Sequence, residues 1–199
     1  MRNLIIIDVS SLAYAGETSS YAIKAGGFSY KGFPTGAIYR VMREISYYKS
    51  MNNVIVLAFD SRVDRKLVIP TYKKGRYSKA PLKGDKISVR EKVYAQLDVL
   101  YKYLSRSGFK VLKEENREAD ELIYNCVKDN IDDYETIHVV SSDYDQLNCI
   151  DGSNKVFFIS ANRRIQDVNA DNFETVVNTI NTFRKNKVYL NTVNMYKLV

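Results

Sequence analysis

Tryptophan is absent, and one histidine, two cysteines and three prolines are all that 199 residues contain of those types. Cys126 and Cys149 lack the paired spacing of a thiolate metal site, and they read as free thiols rather than a disulfide. Neither cysteine neighbours the acidic residues discussed below. The single histidine, His138, lies inside an apolar run and reads as a packed or edge side chain, not a ligand. With no Ser/His/Asp set and no Cys/His pair, the sequence argues against covalent acyl chemistry. Long apolar runs are also missing. The N-terminal run Leu4-Ile5-Ile6-Ile7 follows a single arginine and is too short for a signal peptide or a membrane span. The expectation is a soluble, cytoplasmic protein without internal repeats or low-complexity segments.

What the chain does have is three apolar runs that each end on an aspartate. Leu4–Ile7 runs into Asp8, Val54–Phe59 into Asp60, and Ile137–Ser142 into Asp143, with Asp145 two residues on. Short runs rich in β-branched residues, stopped by a polar one, read as buried strands of a parallel sheet. In such folds ligands bind outside the carboxyl ends of the strands. Three carboxylates aimed at one place repel each other, and a cation would offset that.

The rest of the pattern alternates. Strands are expected at 3–8, 54–59, 109–112, 137–141 and 155–159. Helices are expected at about 36–50, with Thr35 as its cap and Ile38, Val41, Met42 and Ile45 as its apolar face, and at 88–105, 119–128 and 171–180, with a short one near 144–149. Residues 24–36, with four glycines and a proline, read as a loop. The fold class this implies is α/β: three layers, α/β/α, with a mainly parallel central sheet in a single domain.

Charge is unevenly spread. Of the formal net charge of +7, the stretch from Ser61 to Lys92 carries 11 Lys/Arg against 3 Asp/Glu, or +8, leaving 7 − 8 = −1 for the remainder. A basic segment beside an acidic cluster suggests a polyanion partner, nucleic acid first; a solvated basic loop is the plain alternative.

A fourth acidic group, Glu118-Ala119-Asp120-Glu121, opens an expected helix. An acidic first turn is common for electrostatic reasons alone. Its position matters more, because it falls at the same end of the sheet as the three strand-ending aspartates. All these donors are hard oxygens, which suits Mg²⁺ or Mn²⁺ rather than zinc. Several carboxylates can hold two such ions about 4 Å apart, the arrangement used for phosphodiester hydrolysis.

Five segments then resemble one family in the correct order. They are Ile6-Ile7-Asp8, Gly32-Phe33-Pro34-Thr35-Gly36-Ala37, Phe59-Asp60 with Arg65-Lys66 and Tyr72-Lys73-Lys74-Gly75-Arg76, Glu118-Ala119-Asp120-Glu121, and Ser142-Asp143-Tyr144-Asp145-Gln146-Leu147. The chain resembles the nuclease domain of the 5′–3′ exonucleases and flap endonucleases, of the bacterial and phage type, over about residues 3–175. The resemblance implies a PIN-like 5′-nuclease domain that hydrolyses phosphodiesters at 5′ ends or flaps of DNA or RNA–DNA. It implies a metal cluster of Asp8, Asp60, Glu118 and Asp120, with Asp143 and Asp145 on its other side. Glu121 stands where the family carries a second aspartate, and Ser142 where it carries a glycine. Lys73 and Arg76 match residues that contact the scissile phosphate. Residues 62–92 match an arch over the site, in which Arg65, Lys66, Lys74 and Lys79 would add phosphate contacts, and Tyr72 or Tyr77 could stack on a base.

In the family a Gly-Asp-x-Ser-Asp-Asn motif and a helical module of helix-hairpin-helix type follow. Here the sequence stops at Asn194–Val199. The expectation is therefore one tighter and one weaker ion, and a separate chain that supplies the remainder and docks on Val193, Met195, Leu198 and Val199. Two other readings stay open. A PIN-type ribonuclease would normally lack the basic stretch. A non-catalytic nucleic-acid-binding remnant would keep the fold without a complete second metal site.

Overall fold

The computed structural model describes residues 2–19, 27–49, 53–61, 88–161 and 165–183. The first apolar run forms β1 (Leu4–Asp8), buried along its whole length. It lies at the centre of a five-stranded parallel sheet, which explains why its sequence is continuously apolar rather than alternating. Successive side chains point to opposite faces. Ile5 and Ile7 join one core with Leu12, Val41, Val93 and Leu100, while Leu4 and Ile6 join a second core with Ala119, Ile123 and Val127.

The other strands are β4 (Val54–Ala58), β5 (Lys110–Leu112), β6 (Ile137–Ser141) and β7 (Val156–Ser160), after a two-stranded hairpin of β2 (Ser29–Tyr30) and β3 (Phe33–Pro34). The sheet order is β5-β4-β1-β6-β7. The chain therefore builds outwards from β1 on one side, then returns to build on the other. That reversal opens a crevice at the carboxyl ends of β4, β1 and β6, where ligands bind in open parallel sheets.

Helices α1 (Val9–Thr18), α2 (Gly36–Lys49) and α3 (Val89–Leu104) cover the face that carries Ile5 and Ile7. Helix α4 (Ala119–Asn130) covers the opposite face. A 3₁₀ helix (Tyr144–Cys149) and α5 (Phe173–Phe183) complete the described elements. Leu147, Phe158, Val168 and Ile180 pack between them as a third cluster. The expected three-layer α/β/α fold is observed.

Three local expectations differ from the structure. Helix α1 is not legible as an apolar stripe, because its buried face includes the small residues Ser10, Ala13 and Gly16. Small residues let helices approach closely: a Cβ built on Gly16 would lie 2.6 Å from the Gly36 carbonyl oxygen of α2. The glycine-rich segment expected to be a loop contains the β2–β3 hairpin, with Lys31 and Gly32 at positive φ between its strands. Finally, the α2 N-terminus is closed from a distance. The Ala37 and Ile38 N–H groups donate to Gln96 Oε1 of α3 at 2.9 and 3.1 Å, and Ala37 also reaches Glu17 Oε1 at 3.2 Å. Those donors are the ones a Thr35 hydroxyl would have capped. Gln96 in turn donates to Glu17 Oε1 at 2.7 Å and is fully buried.

Helix α3 begins where expected, and a capping box closes its first turn. The Glu91 N–H donates to Ser88 Oγ at 3.3 Å and the Ser88 N–H donates to Glu91 Oε2 at 2.8 Å. His138 is a packed side chain. It stacks on Phe157 with ring centroids 5.1 Å apart, and its Nε2 lies 2.9 Å from Thr136 Oγ1. Its strand β6 runs between β1 and β7, so it is not at an edge. Both cysteines are free and buried. No described helix is long and apolar enough to cross a membrane. The docking residues expected at 193–199 lie outside the described residues.

Candidate metal centre

Asp8 ends β1 and caps α1, and only 3% of its surface is exposed. Its Oδ1 accepts the Ser11 N–H at 2.9 Å and its Oδ2 accepts the Ser141 hydroxyl at 2.8 Å. Burial pushes its carboxyl up to about 7; the two hydrogen bonds oppose this, and the charges of Asp60 and Asp120 add to it. Serines stitch the neighbouring strand ends together. Ser11 Oγ accepts the Ser142 N–H at 2.8 Å, and Ser141 Oγ accepts the Asp143 N–H at 2.9 Å.

Asp60 follows β4. Its N–H donates to Ser10 Oγ at 3.0 Å, and its Oδ1 accepts the Ala119 N–H at 2.8 Å. Asp60 therefore closes the first turn of α4 from outside, while Glu118, at the N-cap position, makes no side-chain capping bond. Asp120 lies in that same turn. Although exposed as a residue, it has its carboxyl drawn against buried Gln146, whose Nε2 donates to Oδ1 at 2.6 Å. Partial burial raises the Asp120 carboxyl to about 6, with Asp143, Asp60 and Glu118 adding to the rise. Asp143 caps the 3₁₀ helix by accepting the Asp145 N–H at 3.1 Å.

Of the acidic residues singled out in the sequence, five thus share one electrostatic neighbourhood: Asp8, Asp60, Glu118, Asp120 and Asp143. Glu121, half-buried, and Asp145, exposed, stand on the same two elements, α4 and the 3₁₀ helix. Among the described residues, no three His, Cys, Asp or Glu side chains are close enough to form a ready-made ligand cage. Capping accounts for one oxygen each of Asp8, Asp60 and Asp143. It does not account for Asp8 and Asp120, whose carboxyls are pushed up by burial first and by neighbouring carboxylates second. The donor set is all oxygen and open to water on the Asp60 and Asp120 side. That chemistry fits a partly hydrated hard divalent cation.

One expectation is corrected. Cys149 does neighbour the acids: its thiol donates to Gln146 Oε1 at 3.4 Å, and the same amide donates to Asp120, so two hydrogen bonds link the thiol to that carboxylate. Burial pushes that thiol up to about 12, with Asp120 and Asp8 adding. Sequence reasoning also passed over an aromatic rim. Tyr14 of α1 is hydrogen-bonded to Tyr94 of α3; burial raises its phenol to about 12, with Tyr94 and Asp60 contributing. The Arg90 guanidinium lies 5.2 Å from the Tyr94 ring centroid. Asp8 ends β1 and Tyr14 stands in α1, the helix that shows no apolar stripe in the sequence, so no local spacing announces the pair. Arg65, Lys66, Tyr72, Lys73, Lys74, Arg76, Tyr77 and Lys79 all lie outside the described residues.

The arrangement defines an α/β domain with an acidic crevice at a topological switch point. The chain belongs to the family described as "5′-3′ exonuclease, N-terminal resolvase-like domain", whose model matches residues 3–181. It is 24% identical over 177 residues to a "5′-3′ exonuclease" of Mycoplasma pneumoniae, and the match covers 87% of this chain and 58% of that protein. The chain therefore spans little more than half the length of that curated relative. Its fold is similar to that of the bacteriophage T5 5′-exonuclease with zinc bound (TM-score 0.64, 22% identity, covering 87% of this chain and 60% of that chain). It is also similar to the T5 D15 protein co-crystallised with metal ions (TM-score 0.62, 21% identity, covering 87% and 60%).

Proposed function

We propose that this chain is a divalent-metal-dependent 5′ nuclease that hydrolyses phosphodiesters at 5′ ends or flaps of DNA or RNA–DNA. The observation that carries the reading is the gathering of Asp8, Asp60 and Asp143, at or just beyond the carboxyl ends of three adjacent strands, with Asp120 of the first turn of α4, in one electrostatic neighbourhood. Family membership supports it, and the metal ions in the T5 structures support the choice of cofactor.

In this reading Asp8, Asp60, Glu118 and Asp120 hold a first Mg²⁺ or Mn²⁺, and Asp143 and Asp145 face a second, more weakly held one. Glu121 completes the set through water. When bound, the cation supplies charge neutralisation at the phosphate and acidifies the attacking water. The protein's own part is positional. Ser11, Ser141 and Ala119 hold one oxygen or both of Asp8 and Asp60 through hydrogen bonds, so the carboxylates stay in place when substrate arrives. Lys73 and Arg76 contact the scissile phosphate, and Arg65, Lys66, Lys74 and Lys79 bind flanking phosphates. Tyr14 and Tyr94 offer ring faces beside the acids for an unpaired base. Grip on duplex comes from additional length of the kind the relatives carry, in the same chain or a separate one, and adding it raises turnover.

The experiment is cleavage of a 5′-flap substrate by this chain with Mg²⁺ or Mn²⁺, with and without EDTA. Metal-dependent release of the flap is expected. Binding without cleavage under every metal condition would leave the chain a nucleic-acid-binding protein and end the proposal.

A further inference from the structure

Gln146 is 2% exposed and sits in the 3₁₀ helix immediately after Asp145. Both ends of its amide are committed. Nε2 donates to Asp120 Oδ1 at 2.6 Å, and Oε1 accepts the Cys149 thiol at 3.4 Å. An ionised carboxylate only accepts and a thiol donates, so these two partners dictate one orientation of the amide. Flipping it would set oxygen against oxygen on the Asp120 side.

The consequence falls on Asp120. Its residue is exposed in the first turn of α4, where an aspartate without a partner would sample several rotamers. Gln146 ties one of its oxygens to a buried, rigid group on a different element, 26 residues away. The other oxygen is left for a ligand. Carboxylates that bind metals are commonly held in this way, and losing the holding group typically costs 10–100-fold in metal affinity.

We propose that Gln146 is a positioning residue that fixes the Asp120 carboxylate for a divalent cation, and that Cys149 fixes Gln146. This rests on the metal reading above. Cys149 gains a role that does not depend on its reactivity, which a buried thiol beside carboxylates lacks.

The test is Mn²⁺ binding to the full chain, measured by calorimetry and by the electron paramagnetic resonance signal of free Mn²⁺. The variants are Gln146→Met, Asp120→Asn and the two combined, each with a thermal melt of the metal-free protein. Asp120→Asn is expected to weaken binding. Gln146→Met, which keeps the length and loses the donor, is expected to weaken it about tenfold. The double variant is expected to bind no more weakly than Asp120→Asn alone, because the effect of Gln146 runs through Asp120. Parent-like affinity for Gln146→Met, or a further loss in the double variant, would overturn the inference while leaving the metal reading intact. Unchanged affinity for Asp120→Asn would bring down both. Cys149 supplies a milder pair should Gln146→Met fail to fold. Cys149→Ala is expected to weaken Mn²⁺ binding and Cys149→Ser, which retains a donor, to preserve it. Equal affinities for parent, alanine and serine would remove Cys149 from the chain of contacts.

Discussion

The Ser141 hydroxyl donates to Asp8 Oδ2 at 2.8 Å, joining the ends of two adjacent strands whose residues are 133 apart in the sequence. That bond lowers the pKa of a carboxyl that burial otherwise raises. Removing it in Ser141→Ala should move the Asp8 titration further upward in metal-free protein. Carbon-detected NMR of the aspartate carboxyl resonances measures it; an unmoved or lowered Asp8 midpoint would contradict the assignment.

Asp8 and Asp120 bind protons more tightly in the folded chain, at about 7 and about 6, than at the ordinary value of 3.8. The stability this contributes is therefore fully present below about pH 4 and lost as pH rises through 6 to 7. Metal-free protein should melt lower at pH 8 than at pH 5, by roughly 5–10 °C. Asp8→Asn, which has no proton to lose, should flatten much of that difference. Mn²⁺ added at pH 8 should restore the melting temperature of the parent.

Replacing both Asp60 and Asp120 with asparagine should abolish Mg²⁺-dependent flap cleavage in a protein that still folds. A neutral amide neither balances cation charge nor raises the basicity of the site. Single-turnover rates with saturating enzyme report this directly. A double variant that cleaves at the parent rate would place the chemistry elsewhere.

Lys73→Ala and Arg76→Ala should each lower the log–log salt slope of nucleic-acid binding by about 0.7–0.9. Fluorescence anisotropy at several salt concentrations gives the slope. If slope and affinity both match the parent, the basic stretch is a solvated loop.

Gly16→Ala should destabilise the fold by about 1–3 kcal/mol, because the added methyl meets backbone atoms of α2 rather than a side chain that can move. Denaturant unfolding is the measurement, and a neutral result would mean that the α1–α2 contact yields without cost.

The strands and the acidic positions were legible for one reason. A parallel sheet covered on both faces writes itself as continuous apolar runs, and the residue that ends each run falls at the carboxyl edge of the sheet; the positions of Asp8, Asp60 and Asp143 follow from that. Helix α1 was hidden because its buried side is built from Ser10, Ala13 and Gly16, whose value lies in being small. Its N-cap is in plain view as the aspartate that ends the first apolar run, and in the structure Asp8 serves as cap and candidate ligand together. The serines and Gln146 were hidden for a different reason. Their partners lie on other strands and helices, and no local spacing encodes a bond between Gln146 and Asp120 or between Ser141 and Asp8.

The closure of α2 by Gln96 ties together events that a local cap would keep apart. A helix capped by its own neighbouring hydroxyl can form its first turn alone. Here the Ile38 amide finds its acceptor 58 residues away and the Ala37 amide is shared between Gln96 and Glu17, so the turn is fully satisfied only when α1 and α3 have both docked. The opening of α2 and the seating of α3 thus become one cooperative step, and in hydrogen exchange those two amides should report on the whole assembly. Helix α3 is also the element that receives the chain from the basic stretch after β4. Gln96, within that element, is thereby one of the contacts that join it to the opening turn of α2.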